Sequence, residues 1–221
     1  ESVLKTEINA KGNAVMKLES LARMNGFESG GAHSALFDAE LTVKVLGLIK
    51  KNQPQTWGTF LRTANKTDTE TIFKKEKMFT LAEYHFGKNY KYVVAPLHPK
   101  HCTHPIYQWG QAVDLKVDPV PLLDMSVSEL KVAIKKLRFL KTIRSNKAPI
   151  ILDVSYGMKV EPYNSLDSDL LKERAKLVTD NEKFSQNILT ALRESAEEKA
   201  QFDSQVDLFA EETIYKKFTP Q

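Results

Sequence analysis

Hydrophobic residues recur at three- and four-residue spacing in the N-terminal part of the chain, which is typical of amphipathic helices. Residues 17–25 follow this spacing and are followed by Gly26, a residue that favours helix termination. A second helix is predicted to begin after Ser34, a suitable N-cap, and to end before Pro54. The pattern predicts that this helix packs inward through Leu36, Ala39, Val43, Leu46 and Ile49.

The hydrophobic pattern then changes to short β-rich runs. Residues 52–68 are polar and rich in turn-forming residues, so we expect a domain boundary there. The segment "MFTLAEYHFGKNYKYVVAPL" contains two β-rich runs around Gly87-Lys88-Asn89 and predicts a hairpin. Two further strands are predicted in "IYQWGQAVDL" and "APIILDVS". Helical patterns return from Asp167 onward, in "LLKERAKLV", "FSQNILTALRESAEEKAQF" and "DLFAEETIYKKF".

A helix is predicted between those last two strands, from Ser126 to Thr142. Ser126 and Glu129 have the spacing of a capping box, in which each side chain bonds the backbone of the other residue. The apolar residues that would face a core are Leu130, Ile134 and Leu137. The strand-rich middle section therefore predicts a small α+β or barrel domain.

Composition places the chain among ordinary globular proteins. Charged residues make up 27% and hydrophobic residues 42% of the 221 positions. No apolar run approaches the roughly 20 residues that a membrane helix needs, and we expect no membrane partner. The N-terminus lacks the features of a signal peptide, and the single cysteine, Cys102, fits a reducing compartment. We therefore expect a cytoplasmic location, and interpret a chain that begins at Glu1 as a piece of a longer protein.

Charge is unevenly distributed along the chain. Between Leu130 and Ala148 there are seven basic residues and no acidic one. Between Glu194 and Glu212 there are seven acidic residues and one basic residue, Lys199. The basic section favours a polyanionic partner, and the alternative is that both sections are solvated helix faces.

The segment "GGAHSALFDAELTVKVL" places His33 five residues before Asp38. On one helix these side chains would point about 140° apart, because an α-helix has about 3.6 residues per turn. A histidine in the glycine-rich loop before the helix removes that obstacle, and can accept a proton while the carboxylate binds a cation. The pair therefore suits a metal-dependent hydrolase, and the alternative is a capped helix with two solvent-exposed side chains.

"KLESLARMNG" followed by "GGAHSALFDAELTVKVLGLIKKNQP" resembles the third conserved block of DEDDh-type 3′→5′ exonucleases, and the exodeoxyribonuclease I family fits best. Later segments keep that family's order, in "YVVAPLHP", "AVDL", "PLLDMS", "SNKAPI" and "SQNILTALRE". The resemblance implies an α+β chain that contains the C-terminal helices of an RNase H-like exonuclease domain, then an SH3-like domain, then an incomplete all-α domain. The implied ranges are 1–52, 53–160 and 161–221.

The resemblance also implies the chemistry. Asp38 would be the last of four carboxylates that hold two Mg²⁺ ions, and His33 would be the general base. The other three carboxylates lie upstream of this block in the family. We therefore expect the parent enzyme to hydrolyse single-stranded DNA 3′→5′ to nucleotides, and the 221-residue chain alone to be inactive. Two of those three carboxylates form an Asp-x-Glu pair on the first strand of the family. Asp68-Thr69-Glu70 has that pattern, but it follows Asp38 and its polar surroundings do not predict the buried strand that the pair requires.

The basic section predicts a nucleic-acid contact. Lys131, Lys135 and Arg138 form one stripe at helical spacing, and Arg144 and Lys147 continue the charge toward the next strand. Phosphate contacts of this kind give affinity for any sequence of single-stranded DNA. Nearby aromatic residues, which could stack on bases, are Tyr90, Tyr92, Tyr107 and Trp109. The resemblance implies a further partner for this region, the acidic C-terminal tail of the single-strand-binding protein.

Two other interpretations stay open at this point. One is a non-catalytic module that binds single-stranded DNA or a partner protein, with His33 and Asp38 vestigial. The other is a zinc-stabilised interaction domain built on His98, His101, Cys102 and His104. Because these four residues crowd into one Pro-flanked loop, we favour a hairpin tip over a zinc site, whose ligands usually come from two separated stretches.

Overall fold

The computed structural model of the chain describes residues 4–28, 34–85 and 87–205, and shows helices around one five-stranded antiparallel sheet. This confirms the predicted α+β class. The helices are α1 (Leu18–Met24), α2 (Ala35–Asn52), α3 (Pro54–Leu61), α4 (Lys66–Lys75), α5 (Val120–Leu123), α6 (Val127–Leu137), α7 (Val154–Gly157), α8 (Ser168–Asp180) and α9 (Glu182–Gln205). The strands are β1 (Phe79–His85), β2 (Lys88–Pro96), β3 (Gly110–Asp114), β4 (Leu140–Ile143) and β5 (Ile150–Leu152). The predicted helical pattern at 207–218 lies outside the described residues.

The second helix begins where it was predicted to begin but buries a different face. Ser34 is the N-cap residue, with extended backbone, and α2 follows it directly. Leu41 and Val45 are buried, whereas Leu36 is 71% exposed and Val43 is 68% exposed. The predicted inward face was therefore wrong. Apolar residues lie on several sides of α2, so periodicity alone does not choose the face that packs against α1 and α3.

Residues 52–68, predicted to be rich in turns, are mostly helical, with a short turn between Leu61 and Lys66. Pro54 opens α3, a position where its missing N–H breaks no helical hydrogen bond. Asn65 caps α4 by accepting a hydrogen bond from the backbone N–H of Asp68 at 2.8 Å. Asp68-Thr69-Glu70 therefore lies in a helix and not at the end of a buried strand.

The sheet has the strand order β4-β3-β2-β1-β5. The predicted hairpin is confirmed, with β1 and β2 paired from Phe79↔Val94 to His85↔Lys88. Lys88 and Asn89, which were predicted in the turn, already pair in β2, and Gly87 before them adopts the left-handed conformation, with φ 78°. The strands predicted in "IYQWGQAVDL" and "APIILDVS" are also confirmed, as β3 and β5.

The predicted helix from Ser126 to Thr142 is too long. Its capping box is confirmed, since Ser126 and Glu129 bond each other's backbone. The helix ends at Leu137, because Arg138 adopts the left-handed conformation with φ 50°. The following residues form β4, which pairs with β3. Only Leu130 of the three predicted core residues of this helix is fully buried, and Leu137 is largely exposed.

One hydrophobic core joins the sheet to α4, which precedes the sheet in the chain, and to α8 and α9, which follow it. Its buried members run from Ile72 in α4 to Ala191 in α9, and include Phe79, Leu97 and Phe184. The core therefore extends across the implied boundary at residues 160 and 161. None of the helices in the described ranges is long and apolar enough to cross a lipid bilayer.

A buried carboxylate, Asp114, lies at the end of β3. Its Oδ1 accepts a hydrogen bond from the Tyr163 hydroxyl and, at 3.2 Å, from the backbone N–H of Lys116. Its Oδ2 lies 3.4 Å from Lys116 Nζ and 4.0 Å from Lys141 Nζ. Burial of the Tyr163 hydroxyl is the main cause that raises its pKa, and the negative charge of Asp114 raises the pKa further. The neutral phenol is therefore the hydrogen-bond donor that stabilises the buried carboxylate.

We expect Tyr163→Phe to lower the free energy of unfolding by about 2 kcal/mol, because it removes a buried donor to a charged acceptor. Urea denaturation followed by circular dichroism measures this change. Tyr156→Phe is the matched control, since Tyr156 is 39% exposed. Equal stability of the two variants would contradict the role assigned to the Tyr163 hydroxyl.

Candidate nucleic-acid interface

Asp38, the predicted metal ligand, lies in the first turn of α2 and is partly exposed. Its backbone N–H donates to Ser34 O at 2.9 Å. Its carboxylate forms no ion pair with another described residue, so its oxygens are available to a cation of the hard type that prefers carboxylates. His33 lies outside the described residues. Within the described ranges there is no group of three or more His, Cys, Asp and Glu side chains that could hold a metal ion. Asp38 fits as one ligand of a larger set.

The structure separates the five predicted basic residues into two groups. Lys131 and Lys135 lie on α6, and Arg138 is its C-cap residue. Lys131 hydrogen-bonds to Glu198 of α9 and lies 4.0 Å from Glu194. The other group lies after β4, where Arg144 precedes the 3₁₀ turn Ser145–Lys147. Lys131 is only 17% exposed, because carboxylates of the chain itself cover it.

Arg144 and Lys147 share a groove of about 590 Å³ with side chains of the sheet. Its other walls include Glu83 and His85 of β1, Thr142 of β4 and Trp109, the residue before β3. His85 Nε2 lies 3.3 Å from Glu83 Oε2. The groove therefore combines two cationic side chains, one large aromatic ring, the carboxylate of Glu83 and other polar groups.

Aromatic rings form a row beside this groove. The Arg144 guanidinium lies over the Trp109 ring, 4.4 Å from its centroid. Trp109 in turn stacks on Tyr107, with ring centroids 4.6 Å apart and an interplanar angle of 21°. The Tyr107 ring lies 4.7 Å from that of His104. A cation held against an aromatic face keeps its position at low entropic cost, and the exposed Tyr107 leaves an aromatic surface open to solvent.

The loop between β2 and β3 fixes the position of Trp109. The backbone N–H of His104 donates to Trp109 O at 2.7 Å, and Gln108 adopts a left-handed conformation with φ 56°. His104 Nδ1 accepts from the backbone N–H groups of Ile106 and Tyr107 at 3.1 and 3.3 Å. Burial lowers the pKa of His104, so the imidazole is neutral at pH 7 and can act as this acceptor.

The loop residues that were considered as zinc ligands have other contacts. His101 Nε2 lies 3.1 Å from Glu182 Oε1, which joins the loop to α9. The Cys102 thiol donates to Pro99 O at 3.5 Å, and burial raises its pKa, which disfavours the thiolate that binds zinc. His104 accepts from the backbone as described above. These contacts describe a loop that closes on itself and on α9.

Lys141 is a candidate functional residue that was not singled out from the sequence. Its ammonium group lies 3.4 Å from the centroid of the Tyr92 ring, and Tyr92 stacks on Tyr90 with ring centroids 6.3 Å apart. Burial lowers the pKa of Lys141, whereas the nearby charge of Asp114 opposes this shift. A second cation–aromatic pair therefore lies on β4 and β2. The sequence did not indicate this pair, because the predicted helix over residues 126–142 includes most of β4.

Curated relatives align with most of the chain. It is 30% identical over 152 residues to exodeoxyribonuclease I of Haemophilus influenzae, which covers 61% of this chain and 31% of that protein. It is 26% identical over 195 residues to exodeoxyribonuclease I of Buchnera aphidicola, which covers 81% of this chain and 45% of that protein. The chain thus spans less than half the length of these relatives. No protein-family profile matches it.

Solved structures of exonuclease I share the fold. The enzyme from Methylocaldum szegediense has a TM-score of 0.62 at 22% identity, over 86% of this chain and 43% of that one. An ExoI/SSB-Ct complex has a TM-score of 0.60 at 21% identity, over 86% of this chain and 43% of the other. E. coli exonuclease I in complex with a dA16 oligonucleotide has a TM-score of 0.59 at 20% identity, over 95% of this chain and 45% of that one.

The sequence and the fold point to the same family. Sequence identity to two curated proteins of the same name and a shared fold with solved structures of that enzyme agree with each other. The chain is similar in sequence to two curated exodeoxyribonuclease I proteins and in fold to solved exonuclease I structures, over the part of those proteins that it spans.

Proposed function

We propose that the parent of this chain hydrolyses single-stranded DNA in the 3′→5′ direction, and that the described sheet holds the DNA strand. The observation that carries the proposal is the Arg144 guanidinium stacked on Trp109 beside Lys147, in one groove. The relationship to exodeoxyribonuclease I and the oligonucleotide bound in a structural neighbour support it.

The groove offers the two interactions that a sequence-neutral strand binder needs. Arg144 and Lys147 would contact phosphates, which carry the same charge whatever the base. The Trp109–Tyr107 stack would contact bases, since every base has a face on which an aromatic ring can stack. An exonuclease must release one nucleotide after another, and contacts that do not depend on the base suit that task.

The catalytic proposal concerns Asp38 and His33. Asp38 would hold a divalent cation, with Mg²⁺ proposed because the ligand is a hard carboxylate oxygen. Such ions supply electrostatic stabilisation of the oxygens at a phosphodiester under attack. His33 would accept the proton of the attacking water, which a neutral imidazole can do near pH 7. We further propose that the 221-residue chain alone is inactive, because Asp38 is one of four carboxylates that the family uses.

We also propose the domain organisation implied by the family, with 1–52 from the exonuclease domain, 53–160 SH3-like and 161–221 from a helical domain. All five described strands lie within 53–160, which supports the middle assignment. The shared core described above means that the second and third units would pack tightly on each other.

A second candidate function is a non-catalytic module that binds DNA or the acidic tail of the single-strand-binding protein. The cationic groove favours either ligand, and a structural neighbour is described as an ExoI/SSB-Ct complex. Titration with a fluorescent oligonucleotide and separately with an acidic peptide distinguishes the two ligands. Binding of the peptide but not of the oligonucleotide would replace the DNA-binding proposal by the partner-binding one.

We expect Trp109→Ala to weaken binding of an oligo-dT strand about tenfold, because loss of one base–aromatic stack costs roughly 1–3 kcal/mol. Fluorescence anisotropy at fixed salt measures the Kd. Trp57→Ala is the matched control, since Trp57 is the other tryptophan of the chain and lies in α3. If both variants bind like the wild type, Trp109 is not a stacking residue.

The double variant Arg144→Ala/Lys147→Ala is expected to change the salt dependence of binding. The slope of log K against log salt concentration should fall by about 1.4, because each phosphate contact to a single strand contributes about 0.7. Arg193→Ala/Lys183→Ala removes the same charge from α9, away from the groove, and should leave the slope unchanged. Equal slopes for the two double variants would rule out the groove as the phosphate contact.

We expect the 221-residue chain to leave a 5′-labelled oligo-dT strand intact in the presence of Mg²⁺, because one carboxylate does not hold two metal ions. Denaturing gel electrophoresis of the labelled strand measures this. Asp38→Ala should give the same result. Shortening of the strand that depends on Asp38 would contradict the proposed inactivity and would show that the chain holds a complete site.

A further inference from the structure

The two oppositely charged sections of the sequence meet in the fold. Lys131 of the basic α6 hydrogen-bonds to Glu198 of the acidic α9, and Glu194 lies 4.0 Å away on the same side. The hydrogen bond from Lys131 and the charges of Lys131 and Lys135 lower the pKa of Glu198. Two carboxylates of the chain thus lie against Lys131 of this stripe.

The part of α9 that carries these carboxylates is less buried than the part that precedes it. The first half of the helix is part of the core through Phe184, Ile188 and Ala191, which are all buried. Between residues 192 and 202 no side chain is fully buried. The outer part of α9 is therefore held by partly buried packing, such as that of Leu192 against the core, together with the charged contacts to Lys131.

We propose that the outer part of α9, residues 192–202, is an internal competitor that occupies the basic face of α6 and limits its contact with nucleic-acid phosphates. The basic face of α6 is Lys131 with Lys135. This proposal rests on the proposed DNA binding. It adds that the DNA strand contacts the basic face of α6 fully only when the outer part of α9 moves away from Lys131. The α9 carboxylates do not line the Trp109 groove, whereas they cover part of the basic face of α6.

Ionic strength acts on this competition in two ways. Exposed and half-exposed ion pairs are weak, and salt screens them further. Salt also weakens the contacts of DNA phosphates with lysine. Loss of the α9 carboxylates removes only the first effect, so it should strengthen DNA binding and make binding more dependent on salt.

The double variant Glu194→Gln/Glu198→Gln tests the competitor, because glutamine keeps the size of the side chain and removes its charge. We expect it to bind oligo-dT about three- to tenfold more tightly than the wild type at low salt, the range that two weak ion pairs represent. The slope of log K against log salt should increase by about 0.7 for each additional phosphate that the variant binds. Adding Lys131→Ala to this variant should abolish the tighter binding.

Glu173→Gln/Glu197→Gln is the matched control. It also removes two negative charges, but these two residues do not form the ion pairs that Glu194 and Glu198 form with Lys131. It should bind like the wild type. The proposal would be overturned if this control bound oligo-dT as tightly as Glu194→Gln/Glu198→Gln, or if Glu194→Gln/Glu198→Gln bound oligo-dT like the wild type.

A readout without DNA separates this inference from the proposed function. Hydrogen exchange of the amides of residues 192–202 should be faster in Glu194→Gln/Glu198→Gln than in the control variant, because the outer part of α9 is released. Unchanged exchange would overturn the anchoring role of Lys131. Wild-type and variant chains that both fail to bind oligo-dT would instead overturn the proposed DNA binding, whatever the exchange shows.

Discussion

The buried carboxylate of Asp114 constrains the part of the sheet from which the candidate interface is built. A carboxylate without solvent is costly unless donors and cations surround it. Here a phenol and a backbone N–H donate to Oδ1, while Oδ2 accepts no hydrogen bond from the described residues and lies 3.4 and 4.0 Å from two lysine ammonium groups. These groups come from separate segments of the chain. Lys141 is held beside Asp114 on one side and over Tyr92 on the other. The same strand, β4, leads directly into Arg144.

The two cation–aromatic pairs follow from that arrangement. Antiparallel pairing of β3 with β4 places Gly110 opposite Ile143, so the residues that flank this pair, Trp109 and Arg144, come together at the end of the sheet. A side chain on Gly110 would collide with Phe73, whose Cε2 lies 2.3 Å from the position of an added Cβ. The close approach of α4 to the start of β3 therefore requires glycine, and it keeps Trp109 at the rim rather than in the core.

Motifs formed by neighbouring residues predicted their local structure correctly, whereas features that depend on contacts between distant segments were missed. The capping box of Ser126 and Glu129 spans three residues and could be predicted, as could the hairpin, whose strands adjoin in sequence. The strand β4 was missed because four residues after a helix carry little pattern, and their pairing with β3 decides their conformation. The buried face of α2 was assigned wrongly because its neighbours, and not its periodicity, select that face.

The candidate site shows the same limit. Arg144 and Lys147 could be named from charge alone, but the ring of Trp109 lies 35 positions before Arg144, and only the fold brings them together. The partners of Lys131 are 63 and 67 positions away, so the sequence could not show that carboxylates cover part of the basic stripe. The order of motifs along the chain carried the family resemblance, and the sequence relatives support it independently of the fold.

Photo-crosslinking of an oligonucleotide that contains 4-thiothymidine, followed by trypsin digestion and mass spectrometry, tests the central claim directly. We expect the principal adduct on the tryptic peptide 101–116, at the exposed Tyr107 or at the partly buried Trp109 on which it stacks beside Arg144. Adducts confined to peptides from α1–α4 or from α8 and α9, with none on peptide 101–116, would contradict it.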